Sequence, residues 1–322
     1  MIIILKILVI FNLFKTSSIN KTILTIIYII HIMEEEQYLN LIRKILNDGT
    51  EEDTRNGKTL STFGEIMKFS LQNGKIPFLT SKKLAWKTCL KELLWFISGS
   101  TNNNILKEQN VHIWDANCED HKSRIFEKNI IIKDGELGPI YGYQWRNFNS
   151  PYISCECLHK DKGIDQLSEI ISALKDPNQR TSRRLIMTAW NPCQLKEMAL
   201  PPCHVLCQFH VSQNKRLHCA LYQRSGDIGL GVPFNIASYA FLTHIIAHVC
   251  DLEAYEFVHI LGNAHIYVEH QDALLEQLEN ELYEFPTIDF VREIDDIDDV
   301  KFEDIKINNY QHSSTVKMTM KV

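Results

Sequence analysis

Residues 204–249 read HVLCQFHVSQNKRLHCALYQRSGDIGLGVPFNIASYAFLTHIIAHV. Two runs rich in β-branched and aromatic side chains, His204–Val211 and Leu217–Gln223, flank Ser212-Gln213-Asn214-Lys215, a polar stretch of hairpin length. Ile236–Val249 then carries apolar residues at helical spacing. A hairpin followed by a helix breaks the strict strand–helix alternation of a doubly wound sheet. Outward from this block the mixture recurs. Strand-like runs occupy Arg184–Trp190 and Phe257–Leu261. Helical periodicity marks Trp86–Ile97, stopped by Ser98-Gly99, and Ile164–Leu174, ended by Asp176-Pro177. No internal repeat and no Pro/Gly/Ser linker divides residues 33–322. The expected fold is therefore α+β, a single domain with a mixed β-sheet packed by helices.

Composition narrows the function. The 322 residues are 45% hydrophobic and 23% charged, an ordinary globular mix. A formal charge of −6 excludes a non-specific nucleic-acid binder. Nine scattered cysteines are an odd number, so at least one is unpaired, and a reducing, cytoplasmic setting is expected. No second pair stands at zinc-finger spacing, so no structural metal is expected. Cys155-Glu156-Cys157 with His159 reads as a surface loop, His244 and His248 as packing or solvated histidines, and the acidic run from Glu293 to Asp299 as a solvated face. Residues 1–32 differ from the rest, with no acidic residue and apolar runs too short to span a bilayer. Two readings stay open for them: an extraneous, upstream-translated segment, or a signal or anchor. After Met33 comes an amphipathic helix with Tyr38, Leu41, Ile42, Ile45 and Leu46 on one face, ended by Gly49.

Three features can carry chemistry. There is no Gly-rich phosphate loop of dinucleotide or P-loop type, so any phosphate must be held by side chains. Arg180, Arg183 and Arg184 precede one strand, and Arg224 ends another before Ser225-Gly226-Asp227. Guanidinium forks match phosphate oxygens, although any single one of these arginines reads better as a surface residue at a strand end. In Ala199-Leu200-Pro201-Pro202-Cys203-His204 the prolines fix the backbone before a cysteine, aiming its thiol, and the neighbouring histidine and arginines would favour thiolate. Taken alone, Cys203 reads better as a buried inert thiol. Glu92, inside Cys89-Leu90-Lys91-Glu92-Leu93-Leu94-Trp95-Phe96, either faces solvent or sits in a cavity with a raised pKa; sequence favours solvent.

Together these residues are recognisable. From about Glu34 to Val322 the chain resembles the thymidylate synthase family, folate-dependent enzymes that methylate dUMP to dTMP. The resemblance is carried by Glu92-Leu93-Leu94-Trp95-Phe96, Ile113-Trp114-Asp115, Leu137-Gly138-Pro139-Ile140-Tyr141-Gly142 and Met198 to His204. It continues through Leu221 to Asp227, Gly229 to Tyr239 and His265-Ile266-Tyr267. Motifs this long, in this order, are specific.

The resemblance implies roles. Cys203 would attack C6 of the pyrimidine, with Glu92, Tyr141, His204 and Asp227 also in the catalytic set. The nucleotide would be held by Arg55, Arg224, Ser225, Gly226, Asp227, Asn235, His265, Ile266 and Tyr267. Arg183 and Arg184 would reach across from the other subunit of a homodimer. Ile113, Trp114, Asn117, Asp227, Leu230, Gly231 and Phe234 would line the site for 5,10-methylenetetrahydrofolate, which supplies carbon and hydride. No metal, nicotinamide or flavin is then called for. Neither is DNA, and although some family members bind RNA, the charge does not indicate it here.

This sequence departs from the family in places. The amino-terminal phosphate loop, usually Arg-Thr-Gly-Thr-Gly-Thr, is Thr54-Arg55-Asn56-Gly57-Lys58-Thr59, one residue shorter. Asn263 replaces a frequent aspartate, three extra residues precede Arg183-Arg184, and Lys321 occupies a usually small penultimate position. Rival readings are a hydroxymethylase of the same fold, which finishes with water; an RNA-binding regulator; and a cysteine hydrolase, in which the arginine set has no task. Trp114 and the tail favour methylation, since both would shield the site from water.

Overall fold

Polar residues Gln213 and Asn214 both adopt positive φ, 49° and 63°, and turn the chain tightly between β4 and β5 of the central sheet. Such a turn matches the right-handed twist of the strands it joins. The computed structural model describes residues 34–126, 133–157 and 162–321. The segment 1–32 and His159 lie outside the described residues. The strands are β1 Thr50–Thr54, β2 Gly57–Ser70, β3 Ile186–Thr188, β4 His204–Ser212, β5 Arg216–Asp227, β6 Glu253–Tyr267, and the small pair β7 Thr287–Phe290 and β8 Ile305–Asn308. The helices are α1 (34–48), α2 Trp86–Ile97, α3 Asn103–Glu108, α4 Asp115–Phe126, α5 Tyr141–Asn147, α6 Gln166–Lys175, α7 Gly231–Val249 and α8 Gln271–Leu278.

Six strands form one sheet in the order β1-β2-β6-β5-β4-β3. β5 and β6 run parallel, and the other pairings are antiparallel, so the sheet is mixed as expected. The parallel pair needs a crossover, and α7 provides it. Alternation decides what faces α7: Cys207, Phe209 and Val211 on β4, Leu217, Cys219 and Leu221 on β5, and Phe257 and Leu261 on β6 are all buried. Each such side chain contributes about 1.5–3 kcal/mol by leaving water. α7 is apolar on all sides and long enough to cross a membrane, but 83% of its most apolar window is buried inside the protein, as befits a core helix.

Sequence and structure differ at identifiable points. α6 starts at Gln166, not Ile164, because Asp165 caps it by accepting from Ser168 N–H. β6 runs well beyond Phe257–Leu261 in both directions, and β2 is a strand that local sequence does not announce. The acidic run is not simply solvated: Asp298 binds Arg146, with Nη2 to Oδ2 at 3.0 Å, and Ile294 and Ile297 are buried. His244 and His248 donate from Nε2 to the carbonyls of Lys75 and Arg292, on different segments.

Candidate active site

Cys203 stands just before β4, on a turn that Arg224 holds in place. Arg224 Nε–H donates to the Pro202 carbonyl at 2.9 Å and Nη2 to that of Pro201 at 2.8 Å. Its backbone N–H meets the Cys203 carbonyl at 2.9 Å, and its guanidinium lies 5.6 Å from the Trp190 ring centre. The Cys203 N–H donates to the Tyr141 hydroxyl at 2.8 Å. Burial pushes the thiol above its ordinary range, with Arg224 and Tyr141 opposing. That corrects the expectation that the neighbouring histidine and arginines favour thiolate, and agrees with the buried-thiol reading of the residue alone. Burial also takes His204 down to about 4, so it is neutral at pH 7 and supplies no cation beside the sulfur.

Glu92 is the second correction. It does not face solvent: it is half-buried on α2, and the Trp114 indole donates to Oε1 at 2.7 Å. Burial raises its pKa to about 7. Trp114, Phe96 and Tyr141 are in mutual ring contact, 4.9–6.4 Å apart, which links Glu92 to the Cys203 turn. Ile113 and Phe234 are half-buried against the core, and Asn117 is half-buried on α4. Asp227 Oδ1 accepts from the N–H groups of Gly229 (2.8 Å) and Leu230 (3.4 Å), which closes the turn into α7. Gly231 lies between Asn235 and Asp227.

Asn235 is oriented by residues to which the sequence reading gives no role. Gln223 Nε2 donates to Asn235 Oδ1 and to the Ser225 carbonyl, both at 2.9 Å. Gln223 Oε1 accepts from His259 Nε2 at 2.8 Å. Burial lowers His259 to about 3, with His204 adding to the effect, so the ring is neutral with its proton on Nε2. Asn235 also shares a side-chain hydrogen bond with His204, so its amide is held from two sides. Gln223 and His259 are detectable in principle. They are polar residues at inward positions of strands whose other inward residues are apolar.

A pocket of about 300 Å³ opens beside this network, lined by Glu52, Arg55, Ser225, Asn263, His265 and Tyr267 among others. Thr54 pairs with Gly57, so Arg55 and Asn56 form the tip of the β1–β2 hairpin. The shortened loop therefore still brings its arginine to the pocket. His265 Nδ1 donates to Asn263 Oδ1 at 2.9 Å. Ile266 lies between two pocket residues but its side chain is fully buried on the other side of β6, and Gly226 is buried against Val232 and Leu261. Arg183 and Arg184 do not join the cluster. They are exposed before β3, where the Leu185 carbonyl accepts from Phe209 N–H, six residues along β4 from Cys203. At about 3.3 Å per residue the separation is roughly 20 Å. Lys82 escapes the sequence reading, and nothing in its local sequence signals it. It is buried, donates to the Gly229 carbonyl, and is lowered to about 8 by burial, with Asp227 and Glu35 opposing.

A fixed thiol, a carboxyl titrating near neutrality, an oriented amide and an arginine-edged pocket on a mixed sheet are the equipment of a group-transfer enzyme for nucleotides. The family model described as thymidylate synthase matches residues 36–322, and the chain belongs to that family. It is 46% identical over 292 residues to the thymidylate synthase of equine herpesvirus 2 (strain 86/87), a match covering 89% of this chain and 98% of that protein. Against the thymidylate synthase of Homo sapiens the identity is 48% over 292 residues, covering 89% and 91%. The bifunctional dihydrofolate reductase-thymidylate synthase of Plasmodium berghei (strain Anka) is 48% identical over 290 residues, 89% of this chain and 48% of the relative. The chain thus spans about half the length of that bifunctional protein.

Proposed function

We propose that the protein methylates dUMP to dTMP with 5,10-methylenetetrahydrofolate, releasing dihydrofolate. The observation that carries this is the double engagement of Arg224. Two of its five N–H groups fix the carbonyls before Cys203, and three remain for a phosphate beside Ser225. A nucleotide anchored there by its phosphate brings its base to the thiol.

The residues then have defined tasks. Arg55, Arg224 and Ser225 hold the phosphate, and His265 and Tyr267 the ribose 3′-hydroxyl. Asn235 accepts from uracil N3–H and donates to O4. Cys203 gives its proton to solvent and its sulfur bonds to C6; the C5–C6 π pair shifts to C4–C5 and the C4=O pair onto O4, leaving C5 nucleophilic, and the sulfur leaves as C5=C6 re-forms. Tyr141 and His204 belong to the network that takes the C5 proton, and Glu92, poised near neutrality, holds or releases a proton at the free carboxyl oxygen. Ile113, Trp114, Asn117, Leu230, Gly231 and Phe234 hold the folate, with Asp227 as its acceptor; the aromatic and acidic character of this wall suits a donor-bearing heterocycle. The bound folate supplies the carbon and the hydride.

The same reading makes the enzyme a homodimer. In-register residues Ile66, Ile260, Tyr222, Leu206 and Thr188 form one row across the sheet face opposite α7. Ile66 is 59% and Tyr222 36% exposed, an apolar strip that a second copy would cover. Arg183 and Arg184, remote from their own pocket, then serve the neighbour's. We place the catalytic domain at residues 33–322 and the enzyme in the cytoplasm; its free thiols support a reducing compartment. The test is a spectrophotometric assay with dUMP and methylenetetrahydrofolate. Dihydrofolate and dTMP should appear together, whereas a hydroxymethylated nucleotide without dihydrofolate would overturn the reading.

A further inference from the structure

The carboxyl-terminal tail lies against the site. A Cβ built on Gly229 would stand 2.9 Å from Met318 Sδ and 3.3 Å from both Asp227 Oδ1 and His270 Nδ1, so the tail packs directly against this turn. His270 Nε2 donates to the Thr319 carbonyl at 2.9 Å, and Lys321 Nζ meets Glu269 Oε2 at 2.8 Å. Glu269 and His270 belong to the turn Val268–His270, which directly follows Tyr267. The rings of Tyr267 and His270 are 5.5 Å apart. The tail is therefore fastened to the end of the strand that carries His265 and Tyr267. Lys321 is also where this sequence puts a long cation in place of a small residue, and Glu269 supplies the matching carboxylate.

We propose that Lys321 and Glu269 are positioning residues whose ion pair docks the tail over the Asp227–Leu230 turn. Docking holds Met318 against Gly229, between the Asp227 and Leu230 proposed to hold the folate. Lys321 and Glu269 side chains are 26% and 49% exposed, so the pair is screened by salt and its effect is graded, not all-or-none. The kinetic part of this inference rests on the proposed reaction; the docking itself does not.

Two measurements on the full chain test it. The first is amide hydrogen exchange of the tail around residues 315–321, without substrates, at low and high salt. Glu269→Gln and Lys321→Ala should each lower protection about three- to fivefold at low salt, and high salt should lower the native protein to the same level. The second is steady-state kinetics. Each variant should raise the KM for methylenetetrahydrofolate by a similar factor, with kcat and the KM for dUMP changed less than about twofold. The charge exchange Glu269→Lys with Lys321→Glu should restore both readouts. Single variants that match the native protein in protection, or an exchanged pair no better than the singles, would overturn the proposal. Exchange behaviour as expected in a protein that forms no dihydrofolate would leave the docking in place and remove the reaction.

Discussion

Burial moves the Glu92 carboxyl up to about 7 from 4.5, while the Trp114 hydrogen bond pulls it down. Between those two values the folded chain binds more proton at this position than the unfolded chain does. Stability from this group is therefore complete below about pH 4.5 and is lost as pH rises through 7. Relative to Glu92→Gln, the native protein should lose up to about 3 kcal/mol between pH 4 and pH 8. Urea midpoints of both proteins across that range measure it, and parallel curves would show that the carboxyl is not held in this way. Asn235 makes a second residue-scale case. With its oxygen held by Gln223, the amide cannot turn freely to suit cytosine, so the wrong base leaves buried polar groups unpaired at about 1–3 kcal/mol each. A protonated carboxyl in place of the amide could instead donate to cytosine N3 and accept from its amino group. Asn235→Asp should raise the dCMP-to-dUMP ratio of kcat/KM, and an unchanged ratio would mean that the base is read elsewhere. The Cys203 turn is half legible in the sequence: the prolines before it are adjacent, whereas Arg224 and Tyr141, which hold it, come from distant segments. Glu92 is not, because a carboxylate in an apolar helix has two stable homes, and only the position of Trp114, 22 residues away, decides between them.

At the scale of elements, α2 and α5 meet so closely that a side chain cannot intervene. A Cβ on Gly142 would lie 2.4 Å from the Phe96 carbonyl oxygen. This closeness lets Tyr141 reach the Cys203 N–H from the first turn of α5. Gly142→Ala must push the helices apart, costing about 1–3 kcal/mol by overpacking. It should also lower kcat at least about tenfold, because a shift of about an ångström at a positioned group is felt strongly in rate. A variant with reduced melting temperature but native kcat would show that the Tyr141 contact tolerates the displacement. Elements whose periodicity is uninterrupted, such as α2, can be read from sequence to the residue. β2 is hidden because its inward positions Thr59 and Ser61 are polar and Phe63-Gly64 is exposed mid-strand, and β6 looks shorter than it is because Gly262 and Asn263 break its pattern. Both strands are held by pairing to each other along their length, a long-range term that no local window contains.

At the scale of the molecule, the position of Arg183 and Arg184 sets the strongest requirement. They lie roughly 20 Å along β4 from Cys203, so if they bind phosphate it is in another subunit's pocket. Sequence order gives no hint of this, since only the register of β3 on β4 places them at the far end. The requirement has a clean genetic form. On the proposed dimer reading, Arg183→Ala removes a phosphate ligand from the neighbour's site, and Cys203→Ser removes the nucleophile from its own. Each homodimer is then defective in both sites. A mixed dimer is not: the site built on the Arg183→Ala subunit keeps its own Cys203 and receives the other subunit's native Arg183. Its second site lacks both groups. Random exchange of equal amounts makes half the dimers mixed, each with one intact site of two, so activity should return to about a quarter of the native level. Mass spectrometry of differentially tagged subunits verifies the exchange independently. Mixed dimers at the expected proportion without recovered turnover would assign Arg183 to its own subunit or to no site, and the dimer would lose its catalytic rationale.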